Sequence, residues 1–355
     1  MSLINKDIDI ILLGFIKINN LRTLYQINKY YYSRIKPLLQ NFIDFHLVKK
    51  KIKIPIWIHH NIIFNKSIIF GKLDVCKYYC NIYNFDIKDT ENLNESLQLS
   101  CMNDHLEVTK WLIDTFPNIN IHAENEYAFR YSCNNGHLLI AKWLIETFPN
   151  INIHTDDEYA FQLSCINGHL DVAKWLIRTF PNINIHADNE FAFKYSCKDG
   201  HLEVAKWLIN TFPYLNIHSD NEFAFKYSCI NGHLEVAKWL IEIFPNINIH
   251  AENEYAFSSS CGNGHLDVAQ WLIDTFPNIN IHADNDSAFR NSCENGHLSI
   301  AKWLIETFPN INIDNEYAFK WSCLNNHLNI VIWLTSLNPK YSYKIENGKI
   351  ILIKM

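Results

Sequence analysis

The chain repeats itself every 32 residues. The phrase Asn135-Gly136-His137-Leu138-Leu139-Ile140-Ala141-Lys142-Trp143-Leu144-Ile145-Glu146-Thr147-Phe148-Pro149 returns with its histidine at 169, 201, 233, 265 and 297. His105 precedes the series by one period, with Asp104 in place of the glycine. His327 follows 30 residues after His297, behind Asn326. A tryptophan keeps step from Trp111 to Trp303, and Trp333 stands in the last copy. A fixed period of this size means stacked units, each too small to bury its own apolar face without a neighbour. Most alternative folds are thereby excluded, and the chain's 355 residues do not imply two domains.

One unit reads as two helices. Glu126-Tyr127-Ala128-Phe129-Arg130-Tyr131-Ser132-Cys133 is a short first helix, ended by Asn135-Gly136, where glycine suits a positive φ. Leu138 to Thr147 is the second helix. In the copy at 203–210, Glu203, Lys206 and Asn210 form a polar stripe, while Leu202, Val204, Ala205, Trp207, Leu208 and Ile209 face inward. Phe-Pro stops this helix, and Asn150-Ile151-Asn152-Ile153-His154 returns the chain toward an acidic turn.

These residues resemble an ankyrin repeat. Gly200-His201-Leu202-Glu203-Val204-Ala205-Lys206-Trp207-Leu208-Ile209 matches the family's Gly-His-x-x-Val-Val-x-x-Leu-Leu second helix, and Asn182-Ile183-Asn184 resembles its segment before a β-turn. Departures are consistent. The family's Thr-Pro-Leu-His opening becomes Tyr/Phe-Ala-Phe. The turn glycine is missing, leaving Asn125 or Asn189 near the left-handed position, and the period is one short of the usual ~33. The resemblance implies an all-α solenoid of helix-turn-helix units, about nine over residues 58–338, the first degenerate at Gly71–Tyr79. It also implies that first helices and turns line a concave, ligand-binding side. Together with an Ile-, Asn- and Lys-rich composition typical of AT-rich coding, the pattern is similar to ankyrin-repeat proteins of large DNA viruses of protists.

The ends differ from the repeats. Residues 1–45 carry apolar stripes at helical spacing and form a small helical module. Its Ile4, Ile11, Leu12, Phe15, Leu21, Leu24 and Ile27 resemble the apolar face of an F-box, with Asn5 where proline is usual, Asn28 for cysteine and a tyrosine for tryptophan. The alternative is a cap that shields the first repeat, and the two are compatible. Residues 46–57 form a basic linker containing Lys49-Lys50-Lys51-Ile52-Lys53. At 339–355, Tyr341-Ser342-Tyr343-Lys344-Ile345 and Lys349-Ile350-Ile351-Leu352-Ile353 flank Asn347-Gly348, which predicts a β-hairpin cap. Ile332, in the place of a polar-stripe lysine, predicts that something covers it.

Charge is unevenly divided. Residues 1–72 carry 12 Lys and Arg against 3 Asp and Glu, leaving 19 against 34 for the remainder. Phosphate binding needs clustered cations, so the repeats are not expected to bind nucleic acid. Lys49–Lys53 is the one candidate for such contact. Eight cysteines fall at repeat positions, Cys101 to Cys323. Stacked units lie about 10 Å apart, beyond the ~7 Å Cα separation of a disulfide. The ladder is therefore expected to be buried thiols in a reducing compartment. The N-terminus lacks a signal-peptide pattern and no run of about 18 apolar residues exists. These features predict a monomeric intracellular protein, in a host cytoplasm, with no membrane association.

Two histidine rows invite a metal reading, the Gly-His set and His122, His154, His186, His218, His250 and His282. Equivalent residues about 10 Å apart cannot converge on one ion, and Cys76-x₃-Cys80 lacks a matching pair. A structural role in loop hydrogen bonding is expected, with no cofactor or metal. Near-identical copies would also duplicate any active site, so an enzyme is not expected. Function should lie in what varies. The residue after each cysteine includes Asn134, Ile166, Lys198, Ile230 and Glu294, read as partner contacts at the exposed end of the first helix. A second row, Arg130, Gln162, Lys194, Lys226, Ser258, Arg290 and Lys320, reads as half-buried packing. Glu126, Glu158, Glu190, Glu222 and Glu254 belong to an acidic ridge suited to a partner with a basic surface. The expected function is a non-enzymatic scaffold for a protein partner. An F-box in 1–45 would instead make the chain an adaptor joining its target to a ubiquitin ligase through a Skp-family linker.

Overall fold

The computed structural model describes residues 60–83, 90–313 and 316–354. It divides into two compact units, Met1–Ala123 and Glu124–Met355. In the first unit, α1 (His60–Ile69), α2 (Leu73–Tyr83), α3 (Thr90–Met102) and α4 (Leu106–Thr115) make two helical pairs. Phe64 and Ile68 of α1, Val75, Cys76 and Tyr79 of α2, and Val108 and Leu112 of α4 close one apolar cluster. Gly71, at φ 65°, lies between α1 and α2.

In the second unit the first helices are α5 (Ala123–Asn134), α7 (Thr155–Ile166), α9 (Ala187–Lys198), α11 (Ser219–Ile230), α13 (Ala251–Gly262), α15 (Ala283–Glu294) and α17 (Glu316–Leu324). The second helices are α6 (Leu138–Thr147), α8 (Leu170–Thr179), α10 (Leu202–Thr211), α12 (Leu234–Ile243), α14 (Leu266–Thr275), α16 (Leu298–Thr307) and α18 (Leu328–Leu337). First helices from α7 to α17 pack on one another in sequence order. The repeated Phe129, Phe161, Phe193, Phe225, Phe257, Phe289 and Phe319 are fully buried, and so are the thiols from Cys133 to Cys293. Burial pushes those thiols up, Cys101 of the first unit to about 12.

The Gly-His pair performs two tasks. It ends the first helix: Gly200 N–H donates to Cys197 O (3.2 Å) and His201 N–H to Ser196 O (2.8 Å), the bond pair of a left-handed helix stop. It also joins units. The ring of His233 lies on Gly200 so closely that a Cβ there would stand 2.5 Å from Nδ1. His105 Nε2 bonds Ile69 O of the preceding repeat at 2.9 Å. His169, His233 and His297 bond Asn134, Lys198 and Gly262 in the same way. The expectation of a structural role for this histidine row is met by a specific device.

Burial in this ladder holds His169, His233 and His297 below the ordinary histidine value of 6.5. As pH falls through about 6.5, the unfolded chain takes up protons that the folded chain refuses, so stability falls. Urea midpoints should therefore be highest near neutrality and decline between pH 7 and 5, and His169→Gln with His233→Gln should flatten that decline. An unchanged slope in the double variant would remove these rings from the pH dependence.

The chain ends in the hairpin β1 (Ser342–Glu346) and β2 (Lys349–Lys354), antiparallel with Lys344 opposite Ile351. Asn347 and Gly348 take φ 52° and 74°, as an Asn-Gly hairpin turn requires. The hairpin closes the last repeat. Tyr341 stacks on Phe319 at 4.3 Å, and Asn326 Oδ1 accepts from Ile350 N–H while its Nδ2 donates to Gly348 O. This explains Asn326 at the glycine position: with no further histidine ring to accommodate, its side chain anchors the cap. Ile332, expected to be covered, is 49% exposed, because the hairpin packs on α17.

Candidate partner-binding surface

The opening turns of the first helices α5 to α15 are left-handed for three residues without glycine. Asp188, Asn189 and Glu190 have φ of 51°, 56° and 66°, and the five sister turns from Glu124 to Asp286 match them. The missing turn glycine predicted one left-handed residue near Asn125 and Asn189. The structure has three at each turn, and the two acids flanking that residue give no such signal. Asparagine and aspartate tolerate this region, but a run of three costs energy that hydrogen bonds must offset.

Those bonds come from the glutamates. His186 Nδ1 donates to Glu190 Oε1 (2.8 Å), and the same oxygen accepts Asn216 N–H of the next repeat (3.1 Å). Asn216 Oδ1 accepts His218 N–H in turn (3.2 Å). Glu158, Glu222, Glu254 and Asp286 repeat the clamp on Asn184, Asn248, Asn280 and Asn312. Where Asn182, Asn246 and Asn278 reach the far nitrogen of His154, His218 and His250, the ring is held at both ends. The second histidine row is thus structural as well. The acidic ridge needs a correction here. Glu126, Glu158, Glu190, Glu222 and Glu254 are only 5–6% exposed, turned under the next repeat's return segment, and bound to its backbone. Solvent instead meets their neighbours Glu124, Asp156, Asp157, Asp188, Asp220, Glu252 and Asp284.

Glu190→Gln tests the clamp. The amide places a donor pair near His186 Nδ1 and Asn216 N–H, and an unmatched buried polar contact costs about 1–3 kcal/mol. The expected result is a lower urea midpoint with an unchanged helical spectrum; a neutral effect would deny the carboxylate its clamping role.

The row read as packing is buried through most of its length. Arg130 Nη1 reaches Asp156 of the next turn at 2.6 Å, and Lys194 and Lys226 meet Asp220 and Glu252. The Lys194 and Lys226 ammonium groups hold those two carboxyls below the ordinary range. Lys320, in the last repeat, is exposed. Of the variable row after each cysteine, Asn134, Ile166, Lys198 and Glu294 are half-buried at the ends of α5, α7, α9 and α15. Ile230, expected as an exposed anchor, is 7% exposed; α13 packs beside it and Asn263 Nδ2 bonds its carbonyl. The apolar positions of residues 1–45, Ile4, Ile11, Leu12, Phe15, Leu21, Leu24 and Ile27, lie outside the described residues, as do Lys49–Lys53.

Along the first helices lies a feature not singled out from sequence. Half-buried rings stack in pairs: Tyr127 on Tyr131 at 3.9 Å, Phe191 on Tyr195 at 4.1 Å and Phe223 on Tyr227 at 4.2 Å. Tyr195 and Phe223 continue the strip across a repeat boundary at 5.1 Å. Cations lie over it, Lys198 over Tyr195 at 4.8 Å and Lys194 over Phe223 at 5.5 Å. The available signal was the aromatic that opens Tyr/Phe-Ala-Phe at Tyr127, Phe191, Phe223 and Tyr317, four residues before a second aromatic and so on the same helix face. Half-exposed aromatic rings beside charged groups are the composition of protein interfaces.

Among the described residues no helix is long and apolar enough to cross a membrane. No curated protein matches the chain at a significant level. A family model described as ankyrin repeats (3 copies) matches residues 64–157, 129–219, 161–253 and 255–345. With its 32-residue helix pairs, Gly-His helix stops and matches over most of its length, the chain belongs to the ankyrin-repeat family.

Proposed function

We propose that the chain is a non-enzymatic scaffold that holds a protein partner against the first-helix side of the second unit. The aromatic strip from Phe191 to Tyr227 carries this proposal, since family membership makes protein binding the general expectation and the strip is its half-exposed aromatic element. Asn134, Ile166, Lys198 and Glu294, at the ends of their first helices, would be the variable contacts, and Lys198 lies over Tyr195 of the strip. A partner with a basic surface fits, because the exposed turn carboxylates flank the rings and the chain beyond residue 72 is strongly acidic. An adaptor role through a Skp-family linker, or nucleic-acid contact through Lys49–Lys53, would depend on the N-terminal segment.

Affinity purification with mass spectrometry tests the scaffold role, comparing the native chain with Tyr195→Ala plus Tyr227→Ala. The expected result is loss of specific partners at an unchanged melting temperature. Retention of every partner by the variant would sink the strip. Pull-down with the linker, with and without residues 1–45, decides the adaptor role.

A further inference from the structure

The second helices carry a second surface, of opposite charge. A groove of about 310 Å³ lies between α6 and α8, lined by Lys142, Ile145 and Glu146 of one helix and Trp175, Arg178 and Thr179 of the other. Its volume is at the lower limit of sites that take a side chain or small ligand. Two departures from the repeat bear on its charge: Arg178 lines it, and Leu139 stands three residues before its Lys142. Over the second helices from α4 to α18 the second position is acidic in Glu107, Asp171, Glu203, Glu235 and Asp267, polar in Ser299 and Asn329, and apolar at Leu139 in α6. In three copies that acid holds the lysine three residues on: Glu107–Lys110 (3.1 Å), Glu203–Lys206 (3.4 Å) and Glu235–Lys238 (3.2 Å). Leu139 cannot hold Lys142, and is itself 69% exposed. Across the groove, the ninth position is Asp114, Glu146, Asn210, Glu242, Asp274, Glu306 and Ser336 in the other second helices from α4 to α18, and Arg178 alone is a cation.

The stack needs neither change, since its other copies fold without them. Trp175 forms an apolar floor, 8% exposed, and Ile145 an apolar wall. Lys142 and Arg178 outnumber the single carboxylate of Glu146. We propose that this groove docks an acidic amphipathic segment of a partner protein. One apolar side chain would lie on Trp175 and Ile145, and flanking carboxylates would meet Lys142 and Arg178. A bidentate carboxylate contact suits the guanidinium fork. The surface is distinct from the first-helix strip and selects the opposite charge.

Fluorescein-labelled peptides of about twelve residues, with one central Leu or Phe among Asp and Glu, test this by anisotropy against the full chain. Basic peptides with the same apolar residue serve as controls. The acidic peptides should bind saturably and weaken with salt, and any binding of the basic ones, which the acidic first-helix side would take, should not be weakened by the groove variants. Lys142→Glu with Arg178→Glu should lower acidic-peptide affinity about tenfold or more. Leu139→Glu, on an exposed site that tolerates acids in sister repeats, should lower it about threefold by engaging Lys142. Tyr195→Ala with Tyr227→Ala should leave it unchanged, which separates this groove from the strip. The proposal is overturned if no acidic peptide binds, if the groove variants weaken basic peptides as much as acidic ones, or if both groove variants retain full affinity.

Discussion

Gly200→Ala should destabilise the protein by about 2–4 kcal/mol, far more than the conformational cost of alanine alone. The native φ is +82°, and the new Cβ would meet His233 at 2.5 Å from Nδ1 and 2.7 Å from Cε1. The ring cannot step aside freely, because it is bonded to the carbonyl of Lys198. Gly348→Ala supplies the control. Its φ is +74° but nothing lies within 4 Å of the added carbon, so the loss should be about 1 kcal/mol. Urea denaturation of both variants separates the backbone effect from the inter-repeat contact. Adding His233→Ala to Gly200→Ala should then recover part of the loss, as expected for residues that touch. Equal losses at Gly200 and Gly348 would mean that the histidine ring contributes nothing to the intolerance.

Phe225→Ala should be at least as severe, costing about 3–5 kcal/mol. The side chain is 1% exposed in α11, so truncation leaves a cavity that close neighbours cannot fill. Position in the array gives this variant a second signature. Repeat arrays are stabilised by nearest-neighbour interfaces, and an interior unit couples the segments on its two sides. Weakening it should split the urea transition into two phases, seen as divergence of circular dichroism from tryptophan fluorescence. A single transition shifted without broadening would show that coupling across α11 survives the cavity.

Legibility from sequence followed the number of copies. The 32-residue period, the helix pairs, the Gly-His stop and the terminal hairpin were all written in local pattern, because each depends on periodicity, proline, glycine or Asn-Gly turn chemistry. The burial of the cysteine ladder followed from the same repetition. Charge type alone misplaced Glu190 and its four sisters. A carboxylate in an acidic turn looks solvated until the left-handed backbone folds it under the next repeat, where His186 and the Asn216 amide claim it. Ile230 and Ile332 reversed for the same kind of reason: one sits where a neighbouring helix closes over it, the other beyond the reach of the hairpin.

Sequence by itself thus determined the architecture, since a unit that cannot bury its own face must stack on its copies. Tertiary structure alone decided which polar groups hold the stack and which remain for a partner. That choice is made across repeat boundaries, between residues about one period apart, and no local pattern encodes it. The histidine on Gly200, the rings joined from Tyr195 to Phe223, and Lys142 and Arg178 at one groove are all products of that long-range contact.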